Sequence, residues 1–358
     1  MNDAALEVLT ARNDLHREKW DTLIKTFFGC EPMLRPLYPS LFEDAGDESL
    51  CLVMEFAKGV MIYPFILRKI GGTDYTDIIT AYGYGGPIYS GELGSGDKER
   101  FWNEFDVYAR GRGAVSEFIR FSLFAQQGLC YRGELYNTAS NIVCPLNRRD
   151  KGAVWMDFEH KVRKNVNRAR SLNVGITVDE TGSRLDEFLN IYYATMCRRA
   201  ASAPFYFDRP FFEKISEMKG NFVYFFAALD GITVSAELVL ISDENIYSFL
   251  GGTLSEYYNC RPNDLLKYQI IQWGIEQGKN NFVLGGGYRH DDGIFKYKKS
   301  FAPTGVVPYV TGRRILDPTA YRQLTDRHEQ AARDGGLLPD RRSKFFPLYR
   351  APFMENGL

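Results

Sequence analysis

Residues 284–301, LGGGYRHDDGIFKYKKSF, combine four glycines, one histidine, two aspartates and three lysines in eighteen positions. Such residues can cradle a phosphate, bind a metal or supply an acid and a base. A dinucleotide loop requires GxGxxG at the start of a helix, and a P-loop requires GxxxxGK followed by Ser or Thr; neither spacing is present. The adjacent side chains of His290, Asp291 and Asp292 cannot all converge on one ion. We therefore expect no metal site in this segment.

The lysines of the same segment offer a different chemistry. If 294–299 is a strand, Phe295, Tyr297 and Lys299 share one face, while Lys296 and Lys298 share the other. One face would then pack and the other would present two cations. A solvated strand face is the alternative interpretation.

A second candidate is the basic segment EHKVRKNVNRARSLNVG at 159–175. From Arg148 to Arg170 there are eight Lys or Arg residues against three Asp or Glu. Apolar residues at helical spacing predict that Val162, Val166 and Ala169 face a core. The solvent face would carry the following cations: Lys161, Arg163, Lys164, Arg168 and Arg170. It is either an ordinary charged helix face or a surface for nucleic-acid phosphates.

A third candidate is the loop AYGYGGPI at 81–88. Its Gly-Gly-Pro sequence favours a turn with unusual backbone angles. Tyr82 and Tyr84 would then form the walls of a substrate pocket or pack within the loop.

The elements that must position these residues repeat in two halves. Hairpins are predicted at 50–69, with a turn at Lys58-Gly59, and at 221–242, with a turn at Asp230-Gly231. Each hairpin precedes a connecting segment, a helix and a strand. We therefore predict the α/β (α+β) class, with two tandem domains that each contain a mixed, mostly antiparallel sheet flanked by helices. The predicted limits are 1–150 and 151–313, with 314–358 returning to the first domain.

Composition narrows the class of protein. The chain has 358 residues, a net charge of -1, 45% hydrophobic residues and 25% charged residues, as soluble globular proteins do. The N-terminal residues contain no apolar signal segment, and no apolar run is long enough to span a membrane. Six scattered cysteines without a CxxC pair favour reduced thiols. We expect a cytoplasmic protein without a membrane span, and favour a monomer.

With YGYGGPI, the two hairpins, LGGG and FKYKKSF, the chain resembles the Fem-like branch of the Gcn5-related N-acyltransferase (GNAT) superfamily. The resemblance implies two GNAT-like domains and aminoacyl-tRNA-dependent transfer. It places Phe295 and Lys296 at the reaction cleft, and it matches Arg209 in FYFDRPFF to an arginine that binds the acceptor. The candidate site residues have three roles. The catalytic candidates are Lys296, Phe295 and Asp292; the substrate-binding candidates are Arg209, Tyr206, Tyr247, Tyr82 and Tyr84; the tRNA-binding candidates are Lys161, Arg163, Lys164 and Arg168.

The resemblance leaves the donor and acceptor to be argued. Acyl-CoA enzymes of this superfamily bind pyrophosphate at a glycine-rich turn before a helix. The corresponding segment here, TLSEYYNCRPND, contains no glycine. We therefore predict an aminoacyl-tRNA donor, no metal or other cofactor, and amide formation on an amine from a cell-wall precursor or a natural product. An acyl-CoA-dependent N-acyltransferase and a non-catalytic binding module are the alternatives.

Overall fold

The computed structural model of the chain describes residues 5–124, 129–147, 150–199, 206–287, 291–337 and 345–353. Elements up to the middle of the chain are, in order: β1 (Glu7–Thr10), α1 (Asp14–Phe27), α2 (Leu37–Ser40), β2 (Glu48–Phe56), β3 (Gly59–Lys69), β4 (Thr76–Ile79), β5 (Ile88–Gly91), α3 (Ser95–Gly111), β6 (Ala114–Arg120) and β7 (Glu134–Pro145). The remaining elements are α4 (Lys151–Asp157), α5 (His160–Ser171), β8 (Gly175–Asp179), α6 (Leu185–Arg198), α7 (Arg209–Ile215), β9 (Phe222–Leu229), β10 (Ile232–Ile241), β11 (Asn245–Thr253), α8 (Pro262–Glu276), β12 (Asn281–Gly285), α9 (Gly293–Lys299), β13 (Val306–Ile315) and α10 (Pro318–Asp334).

Tertiary contacts divide the chain into two compact units. The first unit comprises Met1–Leu23, Met33–Thr138 and Val310–Leu358, and the second comprises Ile24–Pro32 and Ala139–Tyr309. The chain passes from one unit to the other four times: within α1, between Pro32 and Met33, within β7 and within β13. These limits differ from the predicted 1–150, 151–313 and 314–358, because the later divisions lie within the strands β7 and β13 and residues 24–32 belong to the second unit.

In the first unit, β1, β2, β3 and β4 pair in that order, each antiparallel to the next. Strand β4 then runs parallel to β6, and β6 pairs antiparallel with residues 311–315 of β13. Helix α3 connects the parallel pair and buries Phe101, Trp102 and Phe105 against this sheet. The aromatic rings of Tyr63 and Trp102 contact edge to face at 6.2 Å.

The second unit repeats this order. The hairpin of β9 and β10 turns at Asp230 and Gly231, whose φ angles of 50° and 79° are both positive, as a tight hairpin turn requires. Strand β10 pairs with β11, α8 follows, and β12 returns parallel to β11. Strands β8 and β7 flank this sheet by antiparallel pairing with β9 and β12.

The predicted fold class is confirmed. Both hairpins form where turn chemistry placed them, and each unit has a mixed, mostly antiparallel sheet with helices. The segments between hairpin and helix, predicted only as connections, contain the strands β4, β5 and β11. No helix in the described part of the chain is long and apolar enough to cross a bilayer.

Candidate functional site

The second unit contains a cavity of about 680 Å³ beside the point where β11 and β12 separate. Their parallel pairing covers three positions and ends at Tyr247 opposite Val283. Strand β11 continues alongside β10 to Thr253, while β12 ends at Gly285. Residues 248–253 of β11 therefore have no β12 partner, and they line the cavity together with parts of α6, α8 and α9.

Two glycines of β11 allow close packing around the cavity. A Cβ built on Gly252 would lie 2.1 Å from Thr195 Oγ1, and one on Gly251 would lie 2.5 Å from the Ala236 carbonyl oxygen. Side chains at these two positions would therefore clash with α6 and with β10. Thr195 also lines the cavity, and its buried hydroxyl has no hydrogen-bond partner.

A buried ion pair forms one wall of the cavity. Lys267 of α8 donates through Nζ to Glu237 Oε1 of β10, and it also donates to Ser248 Oγ at 2.6 Å. Only 6% of the Lys267 side chain and 5% of the Glu237 side chain are exposed. Buried charges of this kind require a partner, because an isolated ion loses most of its solvation.

Lys298 of α9 is a second cation in this wall. Its Nζ donates to the Gly286 carbonyl oxygen at 2.7 Å. Burial, followed by the nearby Lys267 charge, lowers the pKa of Lys298 to about 8, although Glu237 and Asp292 act in the opposite direction. A lysine with this pKa is a cation at neutral pH, yet it can exchange its proton.

Helix α9 positions Lys298 through local sequence chemistry. Asp292 is the N-cap residue and accepts a hydrogen bond from the Phe295 backbone N–H at 2.8 Å. Ile294, Tyr297 and Lys298 then lie three and four positions apart, and all three line the cavity. The Asn263 side chain donates to the Tyr297 hydroxyl at 2.8 Å, which connects α8 to α9.

The segment between β11 and α8 and the end of α6 together supply the arginines of the lining. Residues Ser255–Cys260 are a short 3-10 helix, and Arg261 adopts the left-handed conformation with φ of 58°. Arg261, Arg198 and Arg199 line the cavity and are solvent-exposed. The arginines therefore lie at the solvent side of the cavity, while Lys267 lies in its interior.

The start of α8 is poorly suited to bind a pyrophosphate. Its first residue is Pro262, which has no N–H to donate, and Asp264 occupies the first turn with only 7% exposed. Burial raises the pKa of Asp264, while the Asn165 side chain stabilises the carboxylate through a hydrogen bond of 3.1 Å. A carboxylate at this position would repel a diphosphate.

The structure corrects the predicted strand at 294–299, which is the helix α9. Phe295 is buried in the core of the second unit, and Asp292 lines the cavity. Lys296 is exposed and does not line the cavity, whereas Lys298 does. Because the period is helical rather than two, Lys296 and Lys298 no longer share a face. His290 lies outside the described residues.

The predicted acceptor-binding residues of the second half lie elsewhere in the second unit. Arg209, at the start of α7, is exposed and forms ion pairs with Asp186 and Glu213. Tyr206 stacks on Tyr193 with ring centroids 5.5 Å apart. None of these residues lines the 680 Å³ cavity.

Tyr247 makes a buried structural contact within the second unit. It is 4% exposed and donates to the Glu31 carboxylate, with oxygen–oxygen distances of 2.8 and 2.7 Å. Burial raises the pKa of Glu31, although this hydrogen bond acts in the opposite direction. The contact fixes residues 24–32 to the second unit.

Tyr82 and Tyr84 belong to the first unit. The Tyr82 carbonyl oxygen accepts a hydrogen bond from the Tyr38 hydroxyl at 2.8 Å, and the Tyr82 side chain is 41% exposed. The Tyr84 backbone N–H is 3.1 Å from Met33 Sδ. Gly83 between them has φ of 106°, which favours glycine.

Helix α5 has the predicted amphipathic arrangement, with Val162, Val166 and Ala169 buried. Its cations differ in their contacts. Arg163 donates to the Phe158 carbonyl oxygen and Arg168 donates to that of Asn259 at 2.7 Å. Lys161 is 3.2 Å from the Glu159 carboxylate, and Lys164 is exposed. The exposed face of α5 therefore retains positive charge.

Sequence reasoning missed two of the residues that define the cavity, Glu237 and Lys267, and it placed Lys298 only on a strand face beside Lys296. Glu237 and Lys267 are 30 positions apart, so no local spacing relates them. The sequence did contain a signal for the helix that positions Lys298. Asp292 stands three residues before Phe295, and an aspartate in this place is typical of a helix N-terminus.

The sequence of the second unit matches a known family. Residues 156–299 match the model described as an acetyltransferase (GNAT) domain, and this range includes all the residues that line the cavity. No curated protein matches the chain in sequence. The protein is therefore an acyltransferase enzyme whose second unit carries a GNAT domain.

Solved structures extend the similarity in fold beyond this domain. FemX is similar with a TM-score of 0.65 and 15% identity, over 86% of this chain and 98% of that chain. L-PGS from Bacillus licheniformis is similar with a TM-score of 0.55 and 13% identity, over 82% of this chain and 91% of that chain. A conserved protein of unknown function from Bacteroides thetaiotaomicron is similar with a TM-score of 0.56 and 10% identity, over 87% of this chain and 99% of that chain. The predicted GNAT resemblance is confirmed for residues 156–299, and the predicted Fem-like fold is confirmed by the similarity to FemX.

Proposed function

We propose that the second unit transfers an aminoacyl group from the ester of an aminoacyl-tRNA to an amine, and so forms an amide bond. The observation that carries the proposal is the composition of the cavity. It has buried Lys267 and half-buried Lys298 in its wall, exposed arginines at its solvent side, and Pro262 and Asp264 where a CoA cradle would be required.

The charge of the lining favours a donor that carries phosphates. Five cationic side chains and three carboxylates line the cavity. The exposed arginines, with the Tyr258 ring 5.2 Å from Arg198, supply the cation and the stacking surface that single-stranded nucleic acid uses. The exposed cations of α5 add a second surface for phosphates. We therefore assign Lys161, Arg163, Lys164 and Arg168 to tRNA binding.

The reaction uses a cation near the ester carbonyl. The neutral acceptor amine attacks that carbonyl carbon, a C–N bond forms, and the carbonyl oxygen becomes negatively charged. Lys298 is the side chain we assign to stabilise this oxyanion, with Lys267 behind it. When the C–O bond to the ribose breaks, the ribose oxygen takes up the proton that the amine loses. A pKa near 8 suits Lys298 to relay that proton.

Some of the other residues that the sequence suggested have different roles in this proposal. Asp292 borders the cavity but caps α9, so we assign it to positioning Lys298. Phe295 acts in the same way, because its buried ring anchors the helix. Arg209, Tyr206, Tyr247, Tyr82 and Tyr84 stay predictions for acceptor binding. Lys298 takes the catalytic role that the sequence suggested for Lys296, because Lys296 is exposed and does not line the cavity.

An acyl-CoA-dependent N-acyltransferase is the second candidate. The family description of residues 156–299 as an acetyltransferase domain favours it. Such an enzyme would be stabilised thermally by CoA, and its activity would not respond to ribonuclease. The features of α8 described above disfavour it, since the helix start offers a proline and a carboxylate to a diphosphate.

Labelled donors distinguish the two candidates. Radiolabelled aminoacyl-tRNA and radiolabelled acyl-CoA are each supplied with a panel of amines that includes cell-wall precursors and natural-product intermediates. We expect an amide product only from aminoacyl-tRNA, and none after ribonuclease treatment of the donor. A product from acyl-CoA that ribonuclease does not affect would establish the second candidate instead.

A further inference from the structure

The first unit contains a separate cavity of about 640 Å³. The start of β7, the end of β13, α10 and residues 345–348 line it. Its polar lining comprises arginines, one glutamate and two tyrosines: Arg132, Arg313, Arg314, Glu134, Tyr136 and Tyr321. The rest of the lining is mostly apolar, including Ile315, Phe346 and Leu348. A cavity with a few polar groups in an apolar wall is typical of a small-molecule site.

Two of its three arginines are neutralised by the protein. Arg314 binds Asp106 with both terminal nitrogens, at 2.6 and 2.9 Å. Arg132 donates to the same carboxylate at 3.0 Å. Burial raises the pKa of Asp106, but these hydrogen bonds outweigh it and keep the group ionised. Asp106 therefore satisfies Arg132 and Arg314.

Arg313 is different. Its Nε is buried and has no hydrogen-bond partner, and Arg313 forms no ion pair with a carboxylate of the described residues. Its guanidinium carbon lies 4.5 Å from the centre of the Tyr136 ring and 5.8 Å from that of Phe346. Aromatic rings attract a cation but accept no strong hydrogen bond, so the N–H remains unsatisfied. A buried donor in this state requires an explanation.

A second donor lines the same cavity. The Tyr321 hydroxyl accepts a hydrogen bond from the Leu348 backbone N–H at 3.0 Å. Its own proton remains available to an acceptor. An oxyanion in the cavity could therefore accept from both Arg313 and Tyr321.

The charge balance selects the type of anion. Arg313 is the one arginine of the described lining that no carboxylate neutralises, and Glu134 of the same lining would repel a second negative charge. Glu134 accepts a hydrogen bond from the Tyr136 hydroxyl. A singly charged carboxylate fits this balance better than a phosphate dianion does.

We propose that this cavity binds a small organic carboxylate that carries an apolar ring or chain. Arg313 and Tyr321 donate to the carboxylate oxygens, and Tyr136, Phe346 and Leu348 contact the apolar part. This site lies in the first unit and uses none of the residues assigned to acyl transfer.

Binding of phenylacetate to the full-length protein tests the site. Phenylacetamide is the neutral control, and phenyl phosphate is the dianion. We expect calorimetry to show binding of phenylacetate and no binding of phenylacetamide. Addition of phenylacetate should also shift the Arg313 Nε–Hε resonance in a ¹⁵N-arginine spectrum. This measurement uses the wild type, so it does not depend on whether a variant folds.

Two variants that each remove one charge should change phenylacetate binding in opposite directions. Arg313→Gln should weaken phenylacetate binding by at least about tenfold, because the charged donor is lost. Glu134→Gln should strengthen binding, because the repelling charge is removed. Arg333→Gln, whose arginine pairs with Glu329 on the surface of α10, is the matched control and should change binding by less than about twofold.

Three results would overturn the proposal. They are equal binding of phenylacetamide, an unchanged Arg313 resonance at saturating phenylacetate, and tighter binding of phenyl phosphate than of phenylacetate. The last result would assign the cavity to phosphates instead.

Discussion

Lys267 and Glu237 form an ion pair inside the second unit, with only 6% and 5% of their side chains exposed. The pair lies beside Ser248 and lines the same cavity as Lys298. The Lys267 charge contributes to the lowered pKa of Lys298, so the ion pair links the packing of the unit to the reactivity of the cavity.

Breaking this pair should strongly destabilise the protein. Lys267→Met leaves Glu237 buried without its cation, and we expect the free energy of unfolding to fall by roughly 3–5 kcal/mol. The double variant Lys267→Met with Glu237→Leu removes both charges and should recover most of that loss. Urea unfolding of the single and double variants measures the coupling. A loss below about 1 kcal/mol in the single variant would show that water reaches the pair.

The pKa of Lys298 should be visible in a titration. Since burial and Lys267 lower it to about 8, the ¹³Cε resonance of Lys298 should titrate near that pH. An exposed lysine titrates near about 10.4. Selective assignment through Lys298→Met and Lys296→Met identifies the two signals. A Lys298 titration midpoint equal to that of an exposed lysine would contradict the proposed electrostatic environment.

The same shift affects stability with a defined sign. The unfolded chain holds the Lys298 proton more tightly than the folded chain, so unfolding takes up a proton between pH of about 8 and about 10.4. The wild-type penalty from this group is greatest below pH 8 and disappears as the pH rises through that window. Lys298→Met should therefore be more stable than the wild type at pH 7, by about 1–3 kcal/mol. This advantage should shrink at pH 10, as chemical unfolding at both pH values will show.

Helix α5 should contribute to tRNA affinity. Lys161→Glu with Lys164→Glu reverses two exposed charges, so we expect weaker binding of aminoacyl-tRNA and a shallower dependence of affinity on salt. Arg322→Glu on α10, also exposed, is the control. Filter binding between low and physiological salt measures both quantities. Equal losses in the two proteins would indicate nonspecific charge rather than a tRNA surface.

Local chemistry explains which elements the sequence could predict. The turns at Lys58-Gly59 and Asp230-Gly231 depend on adjacent residues, and the buried face of α5 depends on helical spacing, so all three were predictable. The strand predicted at 294–299 was wrong because an alternating pattern was given more weight than the N-cap residue Asp292. Because of that error, Lys296 was predicted as the site lysine, whereas Lys298 is the one that lines the cavity.

The cavity itself depends on contacts that no single segment contains. Glu237 and Lys267 meet because β10 and α8 pack together, and Gly252 is required because Thr195 of α6 approaches β11. Each of these residues has an ordinary sequence context. Their roles follow only from the folded unit.

The central claim, that Lys298 in the cavity of the second unit serves acyl transfer, is tested most directly by a matched pair of lysine variants. Single-turnover transfer from aminoacyl-tRNA is measured for Lys298→Met and Lys296→Met, with thermal unfolding as the check on folding. We predict a loss of about 10²-fold or more in the rate for Lys298→Met and little change for Lys296→Met, since Lys296 is exposed and outside the cavity. Full activity of a folded Lys298→Met protein, or loss confined to Lys296→Met, would contradict the account.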